Sequence, residues 1–352
     1  MLIKHVYTSF LTFTLLTLTA TTSFAQGPNG SGEYYKNADG KKGAALKTAL
    51  CGIIYNRTER GDADYVYGLL WEDFKVTDVR NGYIWDMYSN NTNYVPGGPA
   101  QGANYKKEGD SYNREHSFPA SWFGSKSKNK IMPMHCDLNH LYPTDGWVNN
   151  KRSNYPFGET NGNSYKSENE FSKLGTCTYS GYSGTVFEPN DIYKGDFART
   201  YFYMVTCYEE KLSDWYTNYG EGGSGDTKEG VLATLDGNKY PGLSLWQLEM
   251  LMKWSKNDPV SADKETPRNN AVYSIQGNRN PFIDYPGLEE YIWGSMTDVA
   301  FSYDNYQSPT AIMTIKAEPT YKEGVMYNLS GQVVDKSYKG IVIMNGKKFY
   351  NK

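Results

Sequence analysis

Several features are scarce in this sequence, and each scarcity excludes a class of protein. The four cysteines lie far apart and form no CxxC pair, which argues against a zinc ribbon. Beyond the N-terminal region, no stretch approaches the roughly 18 consecutive apolar residues that a membrane-spanning helix needs. The formal net charge is −3 at pH 7, so the chain lacks the overall basic excess that favours phosphate binding. We therefore expect no stable membrane insertion and no zinc ribbon.

The N-terminus has the pattern of a secretory signal peptide. Lys4 and His5 give a positive start, and residues 10–20 form a short apolar and threonine-rich run. Residues 23–25 then supply the small-x-small pattern of a cleavage site. The sequence predicts a signal peptide over residues 1–25 and a secreted protein. In an exported protein, four cysteines permit two disulfides, with buried free thiols as the alternative.

Apolar spacing and composition predict the helices, strands and loops of residues 26–297, which we call the body. Residues 42–56 have apolar side chains at helical spacing and predict a helix. Residues 64–90 mix aromatic and β-branched residues and indicate short strands. Residues 213–240 are rich in Gly, Asp and Asn, which is typical of a surface loop. The chain therefore mixes helices with short strands.

The pattern of apolar residues changes near the C-terminus of the sequence. Residues 298–322 lose helical periodicity and indicate a linker. In residues 323–352, short apolar alternations are broken by turn residues, and Asn345-Gly346 is a strong hairpin signal. The expected organisation is a body over residues 26–297, a linker, and a small all-β tail.

Histidines cluster in one part of the chain. Of four histidines, His116, His135 and His140 fall within 25 positions, beside Glu115 and Asn149. In one interpretation the three histidines are zinc ligands with an open fourth position. In the other, a histidine is a general base and oxygen ligands such as Glu115 and Asn149 hold a hard cation. Spacing leaves both chemistries open.

Charge is also distributed unevenly. Between residues 111 and 152, six basic residues stand against three acidic ones, although the whole chain is acidic. A local basic excess is compatible with phosphate binding.

Several separated motifs carry a resemblance to a known family. They are NREHSFP at 113–119, DLNHLYP at 137–143, VNNKRSN at 148–154, KGDFAR at 194–199 and QGNRNPFID at 276–284. In this order they resemble the endonuclease I family of non-specific nucleases, over roughly residues 34–294. The resemblance implies an α+β fold, with mixed helices and short strands around a ββα-metal motif.

The resemblance also assigns catalytic and metal-binding roles. It implies that His116 is the general base, on a strand or loop. Glu115 and Asn149 would hold one divalent cation, Mg²⁺ or another such as Mn²⁺ or Ca²⁺. Asn149 would be presented by a short helix that begins near Asp145.

Basic residues near these motifs are the candidates for binding the substrate. Arg152 lies three residues after Asn149, shares that helix face and is expected to steady a phosphate in catalysis. Arg114, Lys151 and Arg279 are further candidates for phosphate contacts.

The sequence departs from the family at the middle motif. Periplasmic members usually have an acidic residue where His135 stands, and their Asp-Leu-His-Asn order appears here as DLNH at 137–140. We therefore leave His135 out of the site and expect His140 to orient other groups. Asp137 is either a supporting partner of the site or a turn residue.

Together these features predict a secreted, metal-dependent, non-specific endonuclease. It would act as a monomer, bind DNA and RNA through the sugar-phosphate backbone, and leave 5′-phosphate ends. The alternative is a secreted binding protein for glycans or other polymers, which uses its 32 tyrosines as stacking surfaces. The C-terminal tail resembles the sorting tails read by the type IX secretion system; a small β extension of the body is the alternative.

Overall fold

The structure, a computed structural model, describes residues 27–57, 63–91, 93–124, 133–309, 324–328, 332–344 and 347–351. The predicted signal peptide lies outside these residues. The helices are α1 (Gly43–Ile54), α2 (Ala63–Thr77), α3 (Gly146–Arg152), α4 (Lys194–Cys207), α5 (Leu212–Trp215), α6 (Gly225–Thr234), α7 (Leu245–Asn257), α8 (Glu265–Gln276), α9 (Pro281–Asp284) and α10 (Leu288–Ile292). The strands are β1 (Val79–Arg80), β2 (Tyr83–Ile84), β3 (Tyr112–His116), β4 (Leu141–Asp145), β5 (Tyr165–Lys166), β6 (Lys173–Thr176), β7 (Thr185–Glu188), β8 (Met326–Asn328), β9 (Val333–Val334), β10 (Gly340–Met344) and β11 (Lys347–Asn351).

One buried helix forms the centre of the body. Every residue of α4 after its first is buried, and α1, α7 and α9 pack against it. A helix that is apolar or buried all round belongs in a core, because no side of it faces water. The strands of the body form separate small antiparallel sheets, β1–β2, β3–β4 and β5–β6–β7. The predicted α+β class is confirmed.

The ββα motif is present where the resemblance placed it. Strand β3 pairs antiparallel with β4, with His116 opposite Leu141 and Glu115 opposite Tyr142. Helix α3 follows β4 directly. Its N-cap is Asp145, whose Oδ1 accepts hydrogen bonds from the amides of the second and third helical residues at 2.8 and 2.9 Å. This cap satisfies amides that the helix cannot pair and fixes where α3 begins.

One prediction about regular structure is wrong in part and another is wrong. Residues 64–77 lie in α2 rather than in strands, because Tyr67, Leu70, Trp71 and Phe74 recur at helical spacing and Leu70 and Phe74 are fully buried. In the rest of residues 64–90, β1 and β2 are short strands as predicted. The predicted loop at 213–240 contains most of α5, a π-helix over Tyr216–Glu221, and α6. In both segments tertiary packing overrides local composition.

The predicted helix at 42–56 is confirmed as α1, and it bears on the cysteines. Its Cys51 Sγ donates to the backbone oxygen of Cys207 at 3.4 Å, and both residues are buried. None of the four cysteines, all of which lie in the described ranges, forms a disulfide, so the alternative of buried thiols holds.

The body extends past its predicted boundary at residue 297. Phe301 is buried at 1% exposure, and its amide and carbonyl pair with the backbone of Lys41 and Gly40 at 2.9 and 2.8 Å. Residues 298–309 therefore belong to the body, and the rest of the predicted linker lies outside the described residues.

The tail contains an antiparallel sheet in the order β11–β10–β8–β9, with β10 and β11 forming the predicted hairpin. Across the described ranges, no helix has the length and apolar composition needed to cross a membrane.

Candidate active site

Glu115 lies on β3 with 4% of its surface exposed. Its Oε1 accepts hydrogen bonds from Tyr88 Oη at 2.7 Å and from Arg152 Nη1 at 2.9 Å. Burial raises the pKa of Glu115 above its ordinary value, while the charge of Arg152 and hydrogen bonds from Tyr88 and Asn149 oppose that rise. The two donors fix Oε1, so the carboxylate can turn its other oxygen to a ligand without losing them.

Arg152 hydrogen-bonds to residues of the protein itself, whereas the sequence predicted that it binds a phosphate. Its side chain is 1% exposed, and besides Glu115 its Nη atoms donate to the backbone oxygens of His116 at 3.2 Å and Ser117 at 2.6 Å. A guanidinium with these partners presents no open surface to a phosphate. The prediction of direct phosphate binding is therefore corrected. Arg152 fixes the strand end that carries Glu115 and His116.

Asn149 projects from α3 toward the same face of β3. Its Nδ2 donates to Asn113 Oδ1 at 2.7 Å, and its amide lies close enough to the Glu115 carboxylate to oppose the rise in that group's pKa. Asn113 and Glu115 are two residues apart on β3, so they share one face of the strand. The buried Glu115 carboxylate and the two half-buried amide side chains therefore lie together.

The oxygen atoms of Glu115, Asn113 and Asn149 are suitable ligands for a hard divalent cation. Carboxylate and amide oxygens are ligands that Mg²⁺ and Ca²⁺ prefer, and Mg²⁺ keeps most of its waters when few protein ligands are offered. Glu115 and Asn149 are the residues that would hold it.

His116 follows Glu115 and points to the opposite face of β3. It is 8% exposed, and its Nε2 lies 3.1 Å from the backbone oxygen of His135. A carbonyl oxygen only accepts hydrogen bonds, so Nε2 carries the proton of the neutral ring and Nδ1 is the basic nitrogen.

The other two histidines surround His116 without converging on a metal. The ring centres of His135 and His140 lie 6.0 and 5.5 Å from that of His116. The Nε2 atoms of His135 and His140 face the backbone oxygens of Gly124 and Met134 at 3.0 and 2.6 Å. In the described ranges, no three His, Cys, Asp or Glu residues form a group that could hold a metal ion. The three-histidine zinc site is therefore not supported.

His140 and Asp137 form part of the packing behind the site. Burial lowers the pKa of His140 to about 4, although the charge of Asp137 acts against it. Asp137 Oδ2 accepts hydrogen bonds from Tyr203 and Tyr208, each at 2.7 Å, and its Oδ1 accepts from the amide of Asn139 at 3.1 Å. Asp137 thus shapes the turn before β4 and anchors that turn to α4.

Two of the predicted substrate-binding residues remain accessible. Arg114 is half-buried, its Nη1 donates to the backbone oxygen of Tyr67 at 2.8 Å, and within the described ranges no carboxylate pairs with it. Lys151 is also half-buried, with Nζ 4.6 Å from the ring centre of Trp147. Both cations are thus partly exposed to solvent.

Arg279 is not brought to this site. It is 2% exposed, and Nε and Nη2 bind both carboxylate oxygens of Asp284 at 2.6 and 2.8 Å. Asp284 also accepts a hydrogen bond from Tyr35 at 2.7 Å. The prediction that Arg279 binds substrate is therefore corrected, because its guanidinium is neutralised inside the body.

Sequence comparison adds an independent finding to this geometry. A sequence model of the family described as Endonuclease I matches residues 42–287, which include the whole ββα motif. The chain belongs to the endonuclease I family. It is therefore an enzyme that hydrolyses phosphodiester bonds of nucleic acids, and the alternative of a binding protein without catalysis is not supported.

Individual relatives agree with the family assignment. The chain is 33% identical to an extracellular ribonuclease of Bacillus amyloliquefaciens over 267 residues, 74% of this chain and 78% of that protein. It is 28% identical to an endonuclease-1 of Buchnera aphidicola subsp. Baizongia pistaciae (strain Bp), over 52% of this chain and 66% of that protein. It is 25% identical to an extracellular deoxyribonuclease of Aeromonas hydrophila, over 48% of this chain and 64% of that protein.

Sequence reasoning missed four residues around this endonuclease I site. Asn113 could have been found from its spacing of two from Glu115 on a strand. Tyr67 and Trp71 could have been found from their helical spacing of four. Tyr88 has no local signal, because only tertiary folding brings its hydroxyl to Glu115.

Proposed function

We propose that the protein is a secreted, metal-dependent, non-specific endonuclease that cleaves DNA and RNA to oligonucleotides with 5′-phosphate ends. One observation carries the proposal. Glu115 and His116 are adjacent at the end of β3, and α3 brings Asn149 to the Glu115 side. The proposed general base and the proposed cation ligands therefore lie at the same end of β3, on its two faces.

His116 is the proposed general base. Because its Nε2–H is directed to the His135 carbonyl, Nδ1 has the lone pair that takes a proton from the attacking water. The carbonyl keeps the ring in one tautomer and stabilises the protonated ring that forms. Arg152 supports the same arrangement by holding the backbone oxygen of His116.

Glu115 and Asn149 are the proposed ligands of the divalent cation. A bound cation would supply neutralisation of the charge that develops on the phosphate and on the departing 3′-oxygen. Tyr88 and Arg152 hold one oxygen of Glu115, so its carboxylate is oriented before any ion arrives.

Arg114 and Lys151 are the proposed contacts to substrate phosphates. Neither residue reads a base edge by this contact, so the strand is positioned without regard to sequence. Relatives named ribonuclease, endonuclease and deoxyribonuclease support activity on both nucleic acids. The names of two of these relatives and the predicted signal peptide support secretion. We propose that the secreted enzyme acts as a monomer.

The products and substrates can be tested together. Purified protein is incubated with Mg²⁺ and either end-labelled DNA or RNA, and fragments are offered to a DNA or RNA ligase without prior phosphorylation. Ligatable fragments from both substrates are expected, because water attack with loss of the 3′-oxygen leaves the phosphate on the 5′ side. Fragments that become ligatable only after kinase treatment would overturn the proposed products.

We further propose that residues 323–352 act in export through type IX secretion machinery. The four-stranded sheet supports an independent role, because its strands pair with one another. Secretion from a host with that machinery is expected to stop for a chain that ends at residue 309, while purified nuclease activity stays. Unchanged secretion of the shortened chain would favour a simple β extension.

A further inference from the structure

Strand β3 presents a second functional face, opposite to the cation ligands. Arg114 and His116 are two residues apart and share that face. On α2, Tyr67 and Trp71 are four residues apart and also share one face. The two faces meet, because the side chains of both α2 residues contact Arg114.

Arg114 lies between two aromatic rings. Its guanidinium carbon is 3.8 Å from the ring centre of Tyr67 and 4.7 Å from that of Trp71. A cation within about 6 Å of an aromatic face is attracted by the electrons of the ring. The Nη1 bond to the Tyr67 carbonyl adds a directional restraint. The guanidinium is therefore held in one orientation while its other N–H groups remain for a ligand.

The same tyrosine also contacts the general base. The Tyr67 ring is nearly parallel to the His116 ring, with an interplanar angle of 11° and ring centres 6.3 Å apart. This separation lies within the range of offset stacking between aromatic rings. Tyr67 is thus the ring that lies against both Arg114 and His116, whereas Trp71 contacts Arg114.

Arg114 also differs from the arginines that have a structural role. Burial lowers its pKa, which marks a cation that is partly desolvated without a compensating anion. Among the described residues, the buried arginines are each paired with a carboxylate, as in Arg152–Glu115, Arg199–Glu265, Arg268–Asp78 and Arg279–Asp284. The positive charge of Arg114 is therefore not neutralised by a carboxylate of the described residues, which leaves it available for a bound anion.

We propose that Tyr67 is a positioning residue that aligns the phosphate-binding Arg114 with the general base His116. The proposal rests on the proposed function and deepens it, since one ring sets the distance between the group that binds the phosphate and the group that activates water. Errors of about 1 Å in such an alignment can cost roughly a hundredfold in rate.

The test compares three variants in oligonucleotide cleavage and in oligonucleotide binding with EDTA present. Tyr67→Leu is expected to lower kcat at least about tenfold, because the base loses its alignment. It should also weaken binding about two- to fivefold, the usual size of a lost cation–π contact. Trp71→Leu should raise KM more than it lowers kcat. Tyr67→Phe keeps the ring, so its kcat and its oligonucleotide binding should equal those of the unmodified protein.

A double-mutant cycle separates positioning from a merely structural effect. Tyr67→Leu should weaken binding of a short fluorescein-labelled single-stranded oligonucleotide when Arg114 is present, and should not weaken it further beside Arg114→Gln. Tyr273→Leu is the matched control, because the Tyr273 ring lies 5.2 Å from Arg279, an arginine already paired with Asp284. Its cleavage and binding are expected to equal those of the unmodified protein.

The outcomes distinguish this inference from the proposed function. If the unmodified protein cleaves and Tyr67→Leu, folded by circular dichroism, has the same kcat, Tyr67 does not position the base. Equal loss of binding with and without Arg114 would likewise overturn the inference. Absence of cleavage by the unmodified protein would instead overturn the proposed function.

Discussion

Arg152 Nη1 donates to Glu115 Oε1 at 2.9 Å, and the two side chains are 1% and 5% exposed. This buried ion pair joins the last turn of α3 to the end of β3. Because the same guanidinium also holds the backbone oxygens of His116 and Ser117, one side chain fixes both the proposed cation ligand and the proposed base.

Arg152→Gln is expected to reduce stability and activity together. Removal of one partner of a buried ion pair leaves the other charge uncompensated, which typically costs about 3–5 kcal/mol. Urea unfolding followed by circular dichroism measures the loss in the free energy of unfolding. Arg114→Gln is the matched control and should change that free energy by less than about 1 kcal/mol, because Arg114 is half-buried and has no carboxylate partner among the described residues. Equal stability of both variants would show that the pair is not structural.

His116→Ala is expected to fold and to lose at least about a hundredfold in kcat, the lower end of the usual contribution of a general base. Single-turnover cleavage of a labelled oligonucleotide measures the loss. His135→Gln keeps a donor near the Gly124 carbonyl and should lose far less than His116→Ala. A fully active His116→Ala variant would remove His116 from the role of base.

Binding to nucleic acid is expected to weaken as salt rises, because each phosphate contact releases a condensed counterion. Fluorescence anisotropy with EDTA present gives the slope of log K against log salt. Arg114→Gln should reduce the size of that slope by roughly one for a duplex. An unchanged slope would mean that Arg114 contacts no phosphate.

The free energy of unfolding is expected to depend on pH through His140. Burial lowers the folded-state pKa of His140 to about 4 from an ordinary value near 6.5. Between these pH values His140 is protonated in the unfolded chain and neutral in the folded chain. The free energy of unfolding therefore falls as pH drops from about 6.5 to about 4. The contribution amounts to about 3 kcal/mol at most. Below about pH 4 both states are protonated and the loss from this group is complete.

Chemical unfolding of the unmodified protein and His140→Gln, measured from pH 7 to pH 4, isolates that contribution. The difference in free energy of unfolding between the two should shrink as pH falls. A difference that stays constant over this range would show that His140 titrates normally in the folded protein.

The sequence was informative about the site wherever catalytic groups are close in the chain. Glu115 and His116 are adjacent, and Asp145 gives a clear helix start a few residues before Asn149. The roles of Arg152 and Arg279 were predicted less well, because a basic residue in a motif looks the same whether it binds a phosphate or a buried carboxylate. Only tertiary structure shows Glu115 and Asp284 beside them.

The same limit applies to the fold. Apolar spacing predicted α1 and the C-terminal hairpin, since both have local patterns. The strands predicted for residues 64–90 are present as β1 and β2 but not over residues 64–77, because aromatic and β-branched composition masked the helical spacing of Leu70 and Phe74. The packing of Phe301 on the body could not be predicted, since its partners at residues 40–41 are distant in sequence.

Cleavage of supercoiled plasmid with Mg²⁺, compared between the unmodified protein, Asn149→Ala and the exposed neighbour Asn150→Ala, tests the central claim most directly. We predict nicking followed by complete degradation by the unmodified protein and by Asn150→Ala. Activity should be abolished by EDTA and largely lost in Asn149→Ala. Equal degradation by all three proteins in the presence of EDTA would contradict a metal-dependent site at the ββα motif.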